Sequence, residues 1–281
     1  MRRWTLSLVF SAVAAATAAP QAPAPAPATS LTFGVIGDNG NGQRVQYEVG
    51  EQMAAVYDES PFGLVLMLGD NMYGSQRPAD FLVKFERPYA TLLSKGVVFK
   101  AALGNHDRPE NVSYPGFHMN GQRYYTYAEG GVRFIVLDTN LMDAPQREWF
   151  ERTLQQTAEP WKICYFHHPL YSNAGRHGPD IELRVVLEPL LVKYGVTVVF
   201  SGHEHVYERF RPQKGITYFT EGSGGQLARG DLKPSTDSAA QFDQDQTFMV
   251  VDIKGDNMKF RTFARTGRIV DSGVIPRRIP E

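Results

Sequence analysis

Gly63-Leu64-Val65-Leu66-Met67-Leu68-Gly69-Asp70-Asn71-Met72-Tyr73 is an apolar run that stops at a Gly-Asp step. The run is too short for a helix and is bounded by glycines, so Gly63–Leu68 reads as a strand buried on both faces. The same grammar recurs along the chain. Leu31–Gly37 leads into Asp38-Asn39-Gly40, and Val97–Leu103 into Gly104-Asn105-His106-Asp107. Lys162–Phe166 leads into His167-His168-Pro169, and Val196–Phe200 into Gly202-His203-Glu204-His205.

Between these runs lie amphipathic stretches. Gln43–Tyr57 places Val45, Val49, Met53 and Val56 near helical spacing. Phe81–Leu93 reads as a helix broken near Pro88. Pro145–Thr157 is a helix with proline at its start, and Ile181–Tyr194 a helix that Pro189 should kink or divide. Arg133–Asp138 adds a strand. After Thr217 the pattern changes. Thr217–Thr220, Thr247–Ile253, Met258–Ala264 and Ile269–Gly273 are strands joined by short turns, so this part should be mostly antiparallel. The expectation is an α/β fold of two packed mixed β-sheets flanked by helices.

The chain has 281 residues and is 42% hydrophobic, enough for one large domain with a well-buried core. Its 29 Lys+Arg against 30 Asp+Glu leave no basic surplus, which argues against a nucleic-acid partner. The single cysteine, Cys164, sits in an apolar run and reads as buried and inert, and no disulfide can form within the chain. Residues 1–18 read as a signal peptide. Arg2 and Arg3 precede the apolar stretch Leu6–Ala16, and Ala16-Thr17-Ala18 offers a cleavage site. That stretch is too short for a stable membrane anchor. Residues 19–30 form an Ala/Pro linker, and residues 31–281 form the folded domain. The expected location is secreted or periplasmic. Asn111-Val112-Ser113 fits a glycosylation acceptor.

The polar clusters carry the chemistry. Loops after the carboxyl ends of strands line the crevice of an α/β sheet. Asp38, Asp70, Asn105, His167 and His203 each follow a strand and can converge there. Together with Tyr73 and His205 they offer oxygen and nitrogen donors suited to hard or borderline metals. Seven donors are too many for one ion and about right for two that share a bridge. Asp70 is the natural bridge, because a carboxylate can serve two cations. Any one cluster has an ordinary explanation: Gly-Asp after a strand is usually turn chemistry, and Asn-His-Asp usually a cap. All of them in this order, each ending a strand, make the ordinary explanation fail jointly.

The set Asp-x-Gly, Gly-Asp-x-x-Tyr, Gly-Asn-His-Asp, a histidine after an apolar strand, and Gly-His-x-His resembles the five-block signature of the calcineurin-like metallophosphoesterases. Tyr73 marks the purple acid phosphatase branch. The stretch from His167-His168-Pro169 through His177-Gly178-Pro179 to Gly202-His203-Glu204-His205 is similar to its small, tartrate-resistant type. The resemblance implies a four-layer α/β/β/α sandwich. It implies that Asp38, Tyr73 and His205 hold one ion, that Asn105, His167 and His203 hold the other, and that Asp70 bridges them. His106 and His177 should act on the substrate phosphate as catalytic residues. His168 matches no ligand block and reads as a pocket wall or structural group, and His118 as a surface residue.

The implied activity is an acid phosphatase that hydrolyses phosphate monoesters by attack of a metal-bound hydroxide. A phenol has a pKa of about 10 and binds as phenolate to a strong Lewis acid, so Fe(III) is expected at Tyr73. Fe(II), Zn(II) or Mn(II) suits the other site. The partner would be a small phosphorylated substrate, and the protein a monomer. Three rival readings remain: a phosphodiesterase or nucleotidase with the same centre, a non-catalytic metal- or phosphate-binding relative, and a redox protein whose iron pair generates radicals from peroxide as a side activity. Gly222-Ser223-Gly224-Gly225 lacks the lysine of a P-loop and should form a turn near the metals.

Overall fold

The computed structural model describes residue 1 and residues 29–279. The signal peptide, Met1 apart, and all but the last two residues of the linker therefore lie outside the described residues. The first half runs β1 (Ser30–Ile36), α1 (Arg44–Glu59), β2 (Leu64–Met67), α2 (Pro78–Phe81), α3 (Ala90–Ser94), β3 (Val98–Ala101), β4 (Tyr125–Glu129), β5 (Val132–Val136) and α4 (Ala144–Gln156). The second half runs β6 (Trp161–Tyr165), α5 (Ile181–Lys193), β7 (Val198–Ser201), β8 (Tyr207–Phe210), β9 (Thr217–Glu221), β10 (Ser238–Phe242), β11 (Thr247–Lys254), β12 (Asn257–Ala264) and β13 (Ile269–Pro276).

The strands form two mixed sheets, in the orders β13-β12-β11-β1-β2-β3 and β10-β8-β9-β7-β6-β5-β4. In the first, β1, β2 and β3 are parallel and β11 to β13 antiparallel. In the second, β5, β6, β7 and β9 are parallel. The alternation of β6 shows why the sheets stack. Trp161, Ile163 and Tyr165 join the core that includes β1 and β2, while Cys164 joins the core under α4 and α5. Phe33 of β1 meets Phe134 and Phe200 of the other sheet edge-on, at 5.4 and 6.4 Å between centroids. Each such buried ring contributes roughly 1.5–3 kcal/mol.

Several expectations need correction. The C-terminal part is mostly antiparallel as expected, but β9 also joins the second sheet parallel to β7, a pairing the sequence reading did not place. The strands β4, β8 and β10 were not read from the sequence. The helix expected over Phe81–Leu93 is α2, a π-helical turn over Leu82–Glu86, and then α3. Side chains from α1 account for the widened turn: Gln46 Nε2 donates to the Lys84 carbonyl at 2.5 Å and Tyr47 Oη to that of Val83 at 2.8 Å. Pro189 does not divide α5. The carbonyl it leaves without a donor belongs to Val185, which is 70% exposed and open to water. Asn111 is buried and donates to Gln76 Oε1 at 2.8 Å, which closes it to a glycan in the folded protein. His118 is half-buried, with Nδ1 2.9 Å from the Phe99 carbonyl, rather than a surface residue.

Candidate metal centre

The parallel strands of both sheets end on one side, and the loops that follow them meet. Asp38 follows β1, Asp70 follows β2, Asn105 follows β3, His167 follows β6 and His203 follows β7. All seven expected ligands come together. Tyr73 Oη lies 3.0 Å from Asp38 Oδ1 and 3.1 Å from His205 Nε2, and His205 Nε2 lies 3.5 Å from Asp38 Oδ1. Next to this trio, Asn105 Oδ1 lies 3.0 Å from both His167 Nε2 and His203 Nδ1, which are 3.2 Å apart. Asp70 Oδ1 stands 3.4 Å from His167 Nε2, and Asp38, Asp70 and His167 form one compact donor cluster.

The backbone is forced into this arrangement. Asp38, Asp70 and His203 all have positive φ, at 54°, 52° and 71°. Such left-handed residues cost of order 1–3 kcal/mol each and persist only where the surroundings over-determine them. Two glycines make the approach possible: a Cβ on Gly104 would sit 2.2 Å from Asp70 Oδ1, and one on Gly202 would sit 2.4 Å from Asp38 Oδ2.

The donor set fits cations. Asp38 and Asp70 are buried carboxylates without a lysine or arginine partner among the described residues. His167 Nδ1 faces the Leu68 carbonyl at 3.0 Å. A carbonyl only accepts, so Nδ1 carries the proton and Nε2 turns its lone pair toward Asn105 and Asp70. Burial disfavours a second proton on His167, but the charges of Asp38 and Asp70 prevail and raise it to about 9. A proton there stands in for positive charge the site calls for. Burial also opposes ionisation of Asp70, yet His167 beside it holds the carboxyl well below the usual range. Burial and then the cationic His167 push His203 down to about 2, which leaves its ring neutral and able to ligate. Burial and the charges of Asp38 and Asp70 push the Tyr73 phenol far up, so only a strongly charged cation would make it a phenolate.

His106 and His177 sit at the open mouth. The His106 ring lies 4.7 Å from that of Tyr73, with Nε2 4.0 Å from Asp70 Oδ2. His177 stacks on His203 at 4.3 Å. His168 lies beside them, 4.6 Å from the His203 ring, with Nδ1 2.7 Å from Thr139 Oγ1. His168, His177, His203, Pro169, Gly178, Pro179 and Asp180 line a cleft of about 230 Å³. The Gly222 turn closes on the same centre: a Cβ there would stand 2.9 Å from Asp38 Oδ2.

Two acids behind the ligands, Glu204 buried and Asp107 half-buried, escaped the sequence reading. Asp107 accepts from the backbone N–H groups of Asn71, Met72 and Gly104 and from Asn71 Nδ2, at 2.8–3.1 Å. It staples the loop of Asp70 to the loop of Asn105. Glu204 Oε1 accepts from the N–H groups of His177 and Gly178 at 3.1 and 2.5 Å, which fixes the loop that carries His177. Burial pushes both carboxyls up to about 7. Their only signal in the sequence is position: one follows Asn105-His106, and the other separates His203 from His205.

Sheets, loops and donors together define a metal-dependent phosphoester hydrolase. The calcineurin-like phosphoesterase model matches residues 31–207, and the chain belongs to that family. Its curated relatives include tartrate-resistant acid phosphatase type 5 from Oryctolagus cuniculus, 27% identical over 80% of this chain and 80% of that one. Two solved structures share the fold. One, titled GAP50, the anchor in the inner membrane complex of Plasmodium, has a TM-score of 0.76 at 17% identity and covers 90% of each chain. The other is purple acid phosphatase PPD1 from yellow lupin (Lupinus luteus) seeds, with a TM-score of 0.73 at 21% identity over 91% of this chain and 55% of that one. The family and the donor set support two metal ions.

Proposed function

We propose that the protein is a secreted or periplasmic acid phosphatase that hydrolyses small phosphate monoesters. The observation that carries this reading is the convergence of seven donors, Asp70 among them, from five loops. Asp38, Tyr73 and His205 would hold Fe(III), and Asn105, His167 and His203 a divalent Fe, Zn or Mn, with Asp70 shared. When bound, the two ions offset charge on the phosphate oxygens and lower the pKa of water toward neutrality.

The chain's own groups orient and protonate. His106, beside Tyr73, and His177, beside His203, would act on a bound phosphate, and Glu204 holds the His177 loop in place. Burial, and then the charge of Arg176, hold His177 below its ordinary value. A neutral His177 suits a hydrogen bond to a phosphate oxygen, which leaves His106 to protonate the departing oxygen. The N-terminal signal supports export. No helix among the described residues is long and apolar enough to cross a membrane.

The test is turnover of p-nitrophenyl phosphate against its bis ester, with and without metal. The expected result is metal-dependent release from the monoester, with a visible charge-transfer band that Tyr73→Phe abolishes. Preference for the bis ester would overturn the monoester assignment, and a colourless active enzyme the ferric one.

A further inference from the structure

Gln76 is a buried amide that belongs to no donor set, yet its hydrogen-bonding capacity is fully used. Nε2 donates to the carbonyls of Met72 and His106 at 2.9 and 2.6 Å. Oε1 accepts from the Arg108 N–H at 3.0 Å and from Asn111 Nδ2 at 2.8 Å. Three of these partners are backbone groups whose roles cannot reverse, so the amide has one orientation. It spans two loops of the centre: Met72 precedes Tyr73, and His106 follows Asn105.

His106 depends on this contact. Its side chain is about half exposed and forms no hydrogen bond among the described residues, because Nε2 stands 4.0 Å from Asp70 Oδ2. The Tyr73 ring lies beside it at 4.7 Å. An imidazole without a bond of its own is aimed by the backbone beneath it. Two bonds pin that backbone. The His106 N–H donates to Asp70 Oδ1 at 2.8 Å, and the His106 carbonyl accepts from Gln76. Asp70 is also the carboxylate offered to the ions. The carbonyl side is therefore the part of the hold that does not depend on metal. The same amide grips the carbonyl before Tyr73, so it sets the spacing of the two rings as well.

We infer that Gln76 is a positioning residue: by tying the His106 carbonyl to the Tyr73 turn, it aims the His106 imidazole at the departing oxygen, and it takes no part in binding metal. The inference rests on the phosphatase reading above, in which His106 protonates that oxygen.

The test compares phenyl phosphate, a poor leaving group, with p-nitrophenyl phosphate on the metal-loaded protein and on Gln76→Met. For phenyl phosphate kcat should fall about tenfold, the scale of one hydrogen bond, and for the nitrophenyl ester less than about threefold, with both ions retained. The double variant His106→Ala with Gln76→Met should be no slower than His106→Ala alone, since one residue acts through the other. Equal losses on the two esters, losses that multiply in the double variant, or loss of metal would overturn the inference. Should Gln76→Met fail to fold, Gln76→Glu at neutral pH takes its place with the same expectations: an ionised carboxylate keeps both accepted bonds and cannot donate to His106.

The ring can also be followed without turnover. In zinc-loaded protein isotope-labelled at histidine, the His106 NMR signal is assigned by its absence from His106→Ala. It should move in Gln76→Met while the other histidine signals stay. A protein that turns over no ester defeats the phosphatase reading, and the ring signal then decides the inference alone: an unmoved His106 signal sinks it.

Discussion

The two halves of the metal centre are built from different material. The Asp38–Tyr73–His205 trio is the more enclosed: Asp38 and His205 are buried and Tyr73 half-buried. It offers a carboxylate and a phenol. The Asn105–His167–His203 trio offers only neutral donors, and Asn105 is exposed. An enclosed, oxygen-rich, anionic set suits a small highly charged ion held tightly. An open, nitrogen-rich, neutral set suits an exchangeable divalent ion. The fold thus makes unequal donor sets from loops that look alike in sequence, and under the proposed reading Asp70 alone would be shared between them.

Changes that touch the shared residue should have the largest effects. Asp70→Asn is expected to lower the content of both ions and to cut kcat/KM roughly a thousandfold, several kcal/mol of lost charge stabilisation. Elemental analysis and kinetics check this, and loss of one ion alone would show that the halves are independent. His106→Ala belongs to neither half. It should leave both ions bound and lower kcat about a hundredfold, less for esters with good leaving groups. Asp107→Ala loosens the staple between the Asp70 and Asn105 loops. Metal titration should show affinity about 10–100-fold weaker, as for loss of a supporting contact behind a ligand, and more at the second site than the first.

The smallest effect is graded. His167 must surrender a proton to bind an ion, and that proton is held up to about 9. Protons therefore compete more strongly as pH falls, and the second-site affinity should weaken by about tenfold per unit below that value. Competition titrations at several pH values measure the slope. A slope equal at both sites would erase the contrast.

Much of this was legible beforehand because the signals are local. Five strands end in donors, and each donor can be read from its own few residues. The unread parts depend on partners far away in sequence. The widened turn over Leu82–Glu86 answers to Gln46 and Tyr47. The placement of β9 depends on β7, which no turn signal announces. His118 looked like a loop residue until the Phe99 carbonyl took its ring. Asp107 and Glu204 act on backbone groups of other loops, so their neighbours in sequence cannot reveal what they hold.

Anomalous diffraction from crystals of the metal-loaded protein addresses the shared carboxylate most directly. Two peaks are predicted, each in contact with a different oxygen of Asp70, the first beside Tyr73 and the second beside His167. A single peak, or two that leave Asp70 untouched, would contradict the whole account.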